Sequence, residues 1–589
     1  MASVKKMGID MQFKIFTNHK KITASISAFI FSSSFFSISF IAAPSANAWS
    51  SAQTTVSVFG GTSVPYSIAV DGSGNIYTTG YFYNTADFDP GVGTTNLTSA
   101  GNGDVFVSKL NSSGDFLWAK SFGGTSEDLG ISIAVDGGGN VYTTGAFYNT
   151  ADFDPGAGTI NLTSAGGSDA FVSKLNSSGD FLWAKSFGGT SDDAGISIAV
   201  DGGGNVYTTG AFYNTADFDP GAGTINLTSA GGSDAFVSKL NSSGHFLWAK
   251  SFSGTSSNFG NAIEVDGSGN VYTTGYFQGI VDFDPGAGTA NLTSAGVDDV
   301  FVSKLNSSGD FVWVKSFGGN ASDYGISIAV DSSGNVYTTG FFQNTVDFDP
   351  GVGTANLTSM GAIDVFVSKL DTSGNYAWAK SFGGTSYDYG NSIAVDSAGN
   401  IYTTGIFQNA VDFDPEAETI NFESVGLYDV FVSKLNSSGD LLWAKSFGGT
   451  SNDFGNAIEV DGSGNIYTTG YFYDTADFDP GEGTTNFTST GGSDGSDVFV
   501  LKLNSLGIAT ILVESDKSVE NARKAAEAEA ARKKRELLEL LSIIPSIGGL
   551  ALNIGDLTNS LLTTKCVKGK TVKNVKKGAK CPKGYVKKK

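Results

Sequence analysis

Residues 197–212 read Ser197-Ile-Ala-Val-Asp-Gly-Gly-Gly-Asn-Val-Tyr-Thr-Thr-Gly-Ala-Phe212, and residues 235–252 read Ala235-Phe-Val-Ser-Lys-Leu-Asn-Ser-Ser-Gly-His-Phe-Leu-Trp-Ala-Lys-Ser-Phe252. Each stretch places a turn of Gly, Asn, Asp or Ser residues between two runs of β-branched and aromatic residues, which is the pattern of a β-hairpin. Together they predict four antiparallel strands. The segment 213–234 between the two hairpins is the longest predicted loop.

The four-strand pattern recurs along the chain. Its copies are marked by the string Ser-Phe-Gly-Gly, by the variant Ser-Phe-Ser-Gly and by one earlier Phe-Gly-Gly, with Phe at 59, 122, 187, 252, 317, 382 and 447. The first spacing is 63 residues and the next five are 65 residues. Copies two and three are nearly identical, which indicates recent internal duplication. Self-similarity at this period predicts a repeat architecture.

Seven units of four strands predict an all-β fold, a seven-bladed β-propeller over residues 49–515 with blade repeats starting near 59, 122, 187, 252, 317, 382 and 447. Radial closure removes the sheet edges that a linear stack would leave exposed. A β-solenoid is the alternative, although its coils are usually shorter and lack hairpins. Thr54–Phe59 matches the fourth strand of the units, so we expect it to complete the last blade, in competition with Ile508–Ser515.

The repeated motif also resembles a known family. Tyr324–Gly340 and Tyr389–Gly405 read Tyr-Gly-(Ile/Asn)-Ser-Ile-Ala-Val-Asp-Ser-x-Gly-Asn-(Val/Ile)-Tyr-Thr-Thr-Gly, and Asp364–Leu370 reads Asp-Val-Phe-Val-Ser-Lys-Leu. These strings resemble the bacterial SBBP β-propeller repeat, a seven-bladed family. The resemblance covers roughly residues 54–510, implies the fold and brings no established activity with it.

Composition and charge narrow the function. The 589 residues include 79 Gly, yet Gly does not recur at every third position, which excludes collagen. Hydrophobic residues make up 40% of the chain, so most of it is predicted to fold. The net charge of −22 divides into +4 for residues 1–48, −37 for residues 49–515 and +11 for residues 516–589. Because residues 49–515 are strongly negative, they would repel the phosphates of nucleic acid, and nucleic acid is not an expected partner.

Residues 1–48 predict a secretory signal peptide. A basic region contains Lys5, Lys6, Lys14, Lys20 and Lys21, an apolar, Ser-rich stretch follows, and Ala46-Asn47-Ala48 is a small-x-small cleavage site. An uncleaved signal anchor is the alternative. Export would place the body outside the cell or at its surface, in an oxidising environment.

The long loop of each unit carries Asp-Phe-Asp-Pro, and its two carboxylates are candidate ligands for Ca²⁺. The candidate positions are Asp87, Asp89, Asp152, Asp154, Asp217, Asp219, Asp282, Asp284, Asp347, Asp349, Asp412, Asp414, Asp477 and Asp479. A third acid precedes each third strand, for example Asp104, and would complete a site if the three converge. The alternative is that the first Asp caps a turn and Pro-Gly ends the segment.

Other residue patterns argue against a catalytic centre. The chain has two His: His19 lies in the leader and His245 lies in a predicted turn. A Ser/His/Asp triad and a Cys/His zinc site would therefore have too few His residues. Trp118 and its counterparts in the other units are interpreted as packing between blades, with sugar stacking as the alternative. The turn Asp71-Gly-Ser-Gly-Asn75 superficially resembles a calcium loop but is interpreted as a hairpin turn.

The chain after residue 515 changes character. Residues 516–564 predict a helical stalk and then an apolar linker, because Glu520/Lys524 and Glu529/Lys533 are spaced i,i+4 and Gly is absent from 516–541. Membrane insertion of the apolar part is the alternative. Residues 565–589 hold eleven Lys and no acid, and Cys566 and Cys581 are predicted to form a disulfide. This basic two-Cys tail resembles a short tail of exported actinobacterial proteins.

These observations predict an exported, non-catalytic binding or scaffold propeller without a cofactor other than Ca²⁺. Its basic tail is expected to contact an anionic cell envelope, although a merely solvated tail is the alternative. The expected partner is a cell-wall polymer, a glycan or a protein, the body is expected to be monomeric, and nucleic acid is not expected. A lyase or glycosidase that acts on polysaccharide through carboxylates, or a structural surface-layer component, is the alternative.

Overall fold

The computed structural model describes residues 55–59, 62–414, 420–481, 483–490 and 495–508, and the backbone of 563–568, 571–576 and 586–587. The chain divides into two compact units, Met1–Leu512 and Val513–Lys589. The described residues form strands, turns and bends without a helix, so the fold is all-β. No helix long and apolar enough to cross a membrane is found in that part of the chain.

The first unit contains seven sets of four antiparallel strands, which we number repeats 1 to 7. The first strands are Ser63–Val70, Leu129–Val135, Ala194–Val200, Asn258–Val265, Tyr324–Val330, Tyr389–Val395 and Asp453–Val460. The second strands are Ile76–Phe82, Val141–Asp152, Val206–Asp217, Val271–Phe277, Val336–Phe342, Ile401–Phe407 and Ile466–Phe472. The third strands are Asp104–Leu110, Asn161–Leu175, Asn226–Leu240, Asp299–Leu305, Asp364–Leu370, Asp429–Leu435 and Asp497–Leu503. The fourth strands are Phe116–Gly124, Phe181–Gly189, Phe246–Gly254, Phe311–Phe317, Tyr376–Gly384, Leu441–Gly449 and, for repeat 7, Thr55–Phe59.

Within each repeat the strands pair in sequence order. In repeat 3, for example, Val200 pairs with Val206, Val206 pairs with Leu240, and Leu240 pairs with Phe246. The register shifts near the start of the first strand, between Gly195 and Ser197. Such a bulge turns the strand locally and leaves one residue outside the ladder.

The N-terminal strand completes repeat 7. Thr55–Phe59 pairs antiparallel with the third strand of that repeat, from Thr55 opposite Lys502 to Phe59 opposite Val498. The sequence leaves this place open between Thr54–Phe59 and Ile508–Ser515, and in the structure Thr55–Phe59 occupies it. The first strand of repeat 1 also lies against repeat 7, since Asn456 Nδ2 donates to the Pro65 carbonyl at 2.6 Å. The fold is therefore propeller-like, with repeat 1 next to repeat 7.

The predicted long loop contains structure of its own. In five repeats it forms a short hairpin, made of Thr85–Asp87 with Asn96–Thr98, Ile280–Asp282 with Asn291–Thr293, Thr345–Asp347 with Asn356–Thr358, Ala410–Asp412 with Asn421–Glu423, and Thr475–Asp477 with Asn486–Thr488. In repeats 2 and 3 this hairpin is continuous with the second and third strands. In repeat 1, Asp87 lies opposite Asn96, two residues from the Thr85–Thr98 pair, whose hydroxyls bond at 2.8 Å.

Neighbouring repeats pack through a buried contact that we call a joint. At the joint between repeats 1 and 2, Phe122 at the end of one fourth strand lies 5.3 Å from Phe153 of the next Asp-Phe-Asp-Pro loop, between ring centroids. On the same face, nearer the start of the fourth strand, Lys109 Nζ and Trp118 Nε1 both donate to the Ser177 carbonyl in the next repeat, at 3.0 and 3.2 Å. Because similar contacts recur around the chain, the core is a series of similar joints.

The repeats have two ends with different connections. Turns such as Asp71–Asn75 and Asn111–Asp115 join first to second and third to fourth strands, and we call this end the turn face. The opposite end carries the link from second to third strand and the link into the next repeat, and we call it the loop face. The first strands surround a cavity of about 180 Å³ to which all seven repeats contribute.

The second unit is described through its backbone alone. Thr563–Lys568 pairs antiparallel with Thr571–Lys576 and with Val586–Lys587, which makes a three-stranded sheet. Cys566 lies opposite Lys573 and Lys587 in this sheet, while Cys581 lies outside the described residues. The predicted signal peptide and helical stalk also lie outside them, so these predictions and the disulfide stay predictions.

Candidate functional site

The predicted calcium loops use their carboxylates for hydrogen bonds within the loop. In repeat 1, Asp87 Oδ1 accepts the backbone N–H groups of Asp89 and Thr95, at 3.1 and 2.8 Å. Asp89 Oδ1 accepts the N–H of Gly91 at 2.8 Å. The bonds to the first aspartate recur at Asp152, Asp217, Asp282, Asp347, Asp412 and Asp477. The second aspartate repeats its bond at Asp154, Asp219, Asp284, Asp349 and Asp479.

The three acids of a repeat do not gather around one point in the described part of the chain. There, no group of three or more His, Cys, Asp or Glu side chains is placed to hold a metal ion. The third acid of repeat 1, Asp104, instead lies beside Asp128 of the next repeat. The observed bonds are those of the turn interpretation, and calcium binding at the Asp-Phe-Asp-Pro loops stays a prediction.

The central Phe of Asp-Phe-Asp-Pro has the larger structural role. Phe153 is 1% exposed and packs against Phe122 of the preceding repeat, and the equivalent Phe218 lies 5.5 Å from Phe187. Sequence reasoning missed this because it weighed the polar residues of the loop. The available signal was the unchanged Phe between two turn-forming aspartates.

The turn Asp71–Asn75 is a hairpin turn, as predicted. Asp71 accepts hydrogen bonds from the backbone of Ser73 and Asn75, from the Asn75 amide and from the Tyr77 hydroxyl, at 2.7 to 3.0 Å. Burial by itself would raise the pKa of Asp71, but these hydrogen bonds outweigh it and the pKa falls below the ordinary value. His245 also lies in a turn, where its backbone N–H donates to Asn241 Oδ1.

The tryptophans pack at the joints. Trp118 lies 6.3 Å from Tyr77 in an edge-on arrangement, and its indole covers Gly179 in the next repeat, where an added methyl group would lie 3.0 Å from Trp118 Cδ2. This confirms the interpretation of the series as packing between repeats.

A different feature distinguishes the repeats from one another. On the loop face of repeats 4, 5 and 6, five large apolar or aromatic side chains are exposed, at 45 to 69% of their surface. We call them the loop-face patch, which comprises Val297, Met360, Tyr387, Val425 and Leu427. Soluble proteins rarely expose a contiguous apolar surface unless it serves an interaction.

Backbone contacts connect the members of the patch. Ala362 and Ile363 donate to the Ser386 carbonyl at 3.1 and 3.2 Å, which brings the loop of repeat 5 against the link that carries Tyr387. Tyr387 is close enough to Tyr428 of repeat 6 to affect its pKa, which burial raises and the neighbouring hydroxyl raises further. The loops of repeats 5 and 6 therefore form one continuous surface.

An aromatic layer lies beneath this surface. It consists of Phe259, Tyr276, Tyr324, Phe341, Tyr389, Phe454 and Tyr471, which form one buried cluster with Ile363 and Tyr428. The centroids of Tyr276 and Tyr324 lie 4.3 Å apart, and those of Phe454 and Tyr471 lie 4.6 Å apart. Large rings in contact make a stiff base for the loops above them.

Repeats 1 to 3 lack this arrangement. The positions that match Met360 and Tyr387 hold Ala100 and Glu127 at repeat 1, and Ala165 and Asp192 at repeat 2. In repeats 2 and 3 the positions of the aromatic layer hold Leu129, Ala146, Ala194 and Ala211. At the positions of Met360 and Tyr387, repeats 1 and 2 thus carry small or acidic side chains, although Val92, Ile160 and Ile225 are exposed elsewhere on the loop face of repeats 1 to 3.

The central cavity is a second concave region. Its lining is formed by Tyr66, Ser67, Ile131, Ser132, Ile196, Ser197, Asn261, Ala262, Ile326, Ser327, Phe341, Asn391, Ser392, Asn456 and Ala457. Further along the first strands, repeats 4 and 7 carry Glu264 and Glu459 where repeat 1 has Ala69. Burial raises the pKa of each glutamate to about 7, and repulsion from Glu459 adds to the rise at Glu264. Sequence reasoning missed this pair, because the matching position is Ala in the other five repeats and Glu in repeats 4 and 7 alone.

The fold defines the class of this chain, a β-propeller repeat protein. Residues 58–81, 312–340, 377–405 and 442–471 match the SBBP family, described as "Beta-propeller repeat". The chain therefore carries SBBP β-propeller repeats, as its motifs indicated.

Two curated relatives match part of the chain. The chain is 25% identical over 477 residues to "Uncharacterized WD repeat-containing protein L264" of Acanthamoeba polyphaga mimivirus, a match that covers 68% of this chain and 34% of that protein. It is 25% identical over 399 residues to "Regulatory protein FlaEY" of Caulobacter vibrioides, which covers 62% of this chain and 39% of that protein. The match thus spans little more than a third of either relative.

Solved structures match the chain at low identity. The crystal structure of RRP9 WD40 repeats aligns with 11% identity and a TM-score of 0.39, over 77% of this chain and 99% of that chain.

Proposed function

We propose that the chain is an exported, non-catalytic binding β-propeller, that its seven repeats are the blades of one closed ring, and that it captures a protein ligand on the loop-face patch. The observation that carries the proposal is the patch itself. Repeats that are otherwise nearly equal differ where large apolar side chains meet solvent in three consecutive repeats. Aromatic and apolar anchors of this kind dominate the energetics of protein interfaces.

Charge complementarity indicates the chemistry of the partner. Residues 49–515 carry a net charge of −37, and the opposite side of the loop face presents Glu127 and Asp192. A segment that combines apolar or aromatic side chains with Lys or Arg would bury the former on the patch and keep the latter near carboxylates. We therefore propose a basic, amphipathic protein segment as the ligand.

A peptide selection tests the binding site. Phage-displayed peptides are selected on the immobilised full chain and counted again on a Met360→Ala/Tyr387→Ser/Val425→Ala/Leu427→Gly variant, whose new residues occur at the matching positions of other repeats. We expect enriched peptides to pair aromatic or apolar residues with Lys or Arg and to lose at least tenfold in affinity for the variant. Enrichment of acidic or glycan-mimetic sequences, or equal binding to both proteins, would contradict the proposal.

Export and envelope attachment are separate parts of the proposal. The support is the leader 1–48 and the basic tail 565–589, with its eleven Lys. Cell fractionation of the full chain and of a chain without 565–589 measures both. We expect the full chain in the envelope fraction and the shortened chain in the medium, and equal release of the two would contradict attachment by the tail.

Calcium stabilisation stays part of the proposal at the Asp-Phe-Asp-Pro loops. A ligand that binds the folded state alone stabilises it by an amount that grows with the logarithm of its concentration over Kd, and so raises the melting temperature. We expect Ca²⁺ to raise the melting temperature of the chain and EDTA to lower it. A melting temperature that neither Ca²⁺ nor EDTA changes would contradict calcium binding.

An enzyme acting on polysaccharide is a second candidate, favoured by one observation. Glu264 and Glu459 are two carboxyls that interact in the interior with pKa values near 7, and glycosidases use such pairs. Release of reducing sugar from cell-wall polysaccharide by the wild type, and its loss in Glu264→Gln/Glu459→Gln, would support this candidate. A structural surface-layer role is the third and predicts self-assembly in place of a ligand.

A further inference from the structure

Five of the joints between neighbouring repeats bury two aspartates, and the first of the two lies beside a glycine at the end of the preceding fourth strand. At the first joint, Asp104 begins the third strand of repeat 1, and Asp128 directly precedes the first strand of repeat 2; they are 4% and 1% exposed. A methyl group at Gly123 would lie 2.8 Å from Asp104 Oδ1 and 3.0 Å from Asp128 Oδ2, so both carboxyls border the same small space. We call this arrangement a carboxyl pair. A methyl group at Gly448 would likewise lie 2.8 Å from Asp429 Oδ1 and 2.9 Å from Asp453 Oδ2. In the other three pairs, Asp169/Asp193, Asp299/Asp323 and Asp364/Asp388, the first aspartate is close enough to raise the pKa of the second.

Backbone groups account for most of the oxygens in a pair. Asp104 Oδ2 accepts the N–H of Ala100 at 2.9 Å, and the two oxygens of Asp128 accept the N–H groups of Gly124 and Tyr148. Asp104 Oδ1 has no hydrogen-bond partner, although it is fully enclosed. The same atom is unpartnered in the other four pairs, at Asp169, Asp299, Asp364 and Asp429, and in the last pair Asp453 Oδ1 is unpartnered as well. A buried acceptor without a donor is costly, so a missing donor is indicated at all five.

The chain itself shows which donor fits the place. At the joint between repeats 3 and 4 the second aspartate is replaced by Asn258, and Asn258 Nδ2 donates to Asp234 Oδ1 at 3.1 Å. At the joint between repeats 7 and 1 the second position is Ser63, and Asp497 Oδ1 accepts the Thr490 hydroxyl at 3.2 Å. The oxygen thus has a donor wherever the second position is neutral, and lacks one in all five joints where it is a carboxyl.

A proton fits this place better than a metal ion. Three of the four oxygens at Asp104 and Asp128 already accept backbone N–H groups, which leaves one free oxygen, whereas Ca²⁺ takes six to eight. A carboxyl O–H on Asp128 supplies one hydrogen bond in the position that the Asn258 amide fills at its own joint.

We propose that the five carboxyl pairs are proton-binding sites, each holding one proton that the second aspartate donates to Oδ1 of the first. Every proton then ties two neighbouring repeats together across a joint. Removal of these protons would leave five pairs of like charges buried between repeats, which is why the joints are expected to loosen as the pH rises.

The surroundings of the pairs support retention of a proton. Burial raises the pKa of Asp128 to about 7 against the hydrogen bonds from Tyr148 and Gly124, and Asp104 and Glu127 raise it further. Burial likewise raises the pKa of Asp193 and Asp388 to about 7 and that of Asp323 to about 6, and it raises that of Asp453. The charged groups that act on these four are all acidic, namely Asp169, Asp192, Asp364, Asp298, Asp299, Asp429 and Asp474.

The sign of the pH effect follows from proton uptake on folding. In the unfolded chain an aspartate loses its proton near pH 4, whereas in the folded chain a pair keeps one to about pH 7. Between these values the folded state binds more protons, so stability falls as the pH rises. Above pH 7 both states are ionised and the slope disappears.

The test is the number of protons released on thermal unfolding at pH 5.5, measured by calorimetry in buffers of different ionisation enthalpy. The full chain is compared with a five-Asn variant that copies Asn258 at each pair, namely Asp128→Asn, Asp193→Asn, Asp323→Asn, Asp388→Asn and Asp453→Asn. We expect the variant to release about five fewer protons and to lose most of the fall in melting temperature between pH 4 and 7.

A matched control changes exposed turn aspartates instead, in Asp115→Asn/Asp180→Asn/Asp310→Asn/Asp440→Asn. This control is expected to release the same number of protons as the wild type, while Asn258→Asp, which makes a sixth pair, is expected to release about one more. Infrared spectra of the folded wild type at pH 6 add a measurement that needs no variant, since neutral carboxyls have their own C=O band. Equal proton release by wild type and five-Asn variant, absence of that band, or a Ca²⁺-dependent melting temperature lost in the five-Asn variant would overturn the proposal.

Discussion

Repeats 2 and 3 and repeats 5 and 6 share their joints and differ at the loop face. At the joints, Phe153 and Phe348 pack against the preceding repeat in the same way, with ring centroids 5.3 and 5.0 Å from Phe122 and Phe317. At the loop face, Ala165 and Asp192 correspond to Met360 and Tyr387. Where duplicated copies stay alike, the residues are required by packing against the next copy. Where the copies differ, the positions are free to serve a ligand.

The largest expected effect on stability comes from substitutions that remove a ring from a joint. Phe218→Ala and Phe348→Ala each remove a ring that is 1% exposed and leave a cavity between two repeats. We expect each to lower the free energy of unfolding by about 3–5 kcal/mol in urea denaturation. The two values should agree within about 1 kcal/mol, because the joints are alike. A loss confined to one of the two variants would show that the joints on the two sides of the ring are not equivalent.

The turn face provides a smaller effect that depends on pH. Asp201 and Asp396 each accept four hydrogen bonds, from a backbone N–H two residues on, from both nitrogens of an Asn and from a Tyr hydroxyl. Burial opposes ionisation, but these bonds hold the pKa of both aspartates below the ordinary value. Substitution by Ala is therefore expected to cost about 1–2 kcal/mol at pH 7, after allowance for partial exposure.

The sign of this effect is opposite to that of the carboxyl pairs. A depressed folded pKa contributes stability that is complete above about pH 4 and is lost as the pH falls through the folded value. The difference between wild type and Asp201→Ala should consequently shrink below pH 3, as measured by melting temperature. A difference that is unchanged at pH 2.5 would mean that the carboxylate form does not matter.

A still smaller effect tests the tryptophans. Trp183→Phe and Trp378→Phe keep a ring against the next repeat but remove the indole bonds to the Ser242 and Ser437 carbonyls, at 3.3 and 3.2 Å. We expect a loss of about 1 kcal/mol for each in urea denaturation. If the sugar-stacking alternative were correct, the substitutions would change glycan binding and leave stability as it was.

The sequence predicted the repeated elements because they are local. Hairpins follow from alternating residues and turn chemistry within a few positions, so the strands, the turns at Asp201 and the pairing partner of Thr55–Phe59 could be found from the pattern. The carboxyl pairs could not, since Asp104 and Asp128 belong to different repeats and meet only after the repeats pack. The loop-face patch was equally hidden, because Val297, Met360 and Tyr387 lie in segments that differ between copies, and a search for shared motifs passes over them.

The smallest expected change in stability accompanies a gain of binding. Ala165→Met/Asp192→Tyr gives repeat 2 the residues that repeat 5 and its following link carry at Met360 and Tyr387. Ala165 is exposed, whereas Asp192 is partly buried and its Oδ1 accepts the N–H of Ser168 at 3.1 Å, so the free energy of unfolding is expected to fall by less than about 1 kcal/mol. If the patch captures the ligand, a peptide selected on the wild type should bind this variant with an additional, weaker site in titration calorimetry. Ala165→Met/Asp192→Asn serves as the control, since it removes the same charge without the aromatic ring. An additional site in both variants would assign binding to the loss of Asp192, and an unchanged stoichiometry in both would show that the aromatic layer beneath repeats 4 to 6 is required as well.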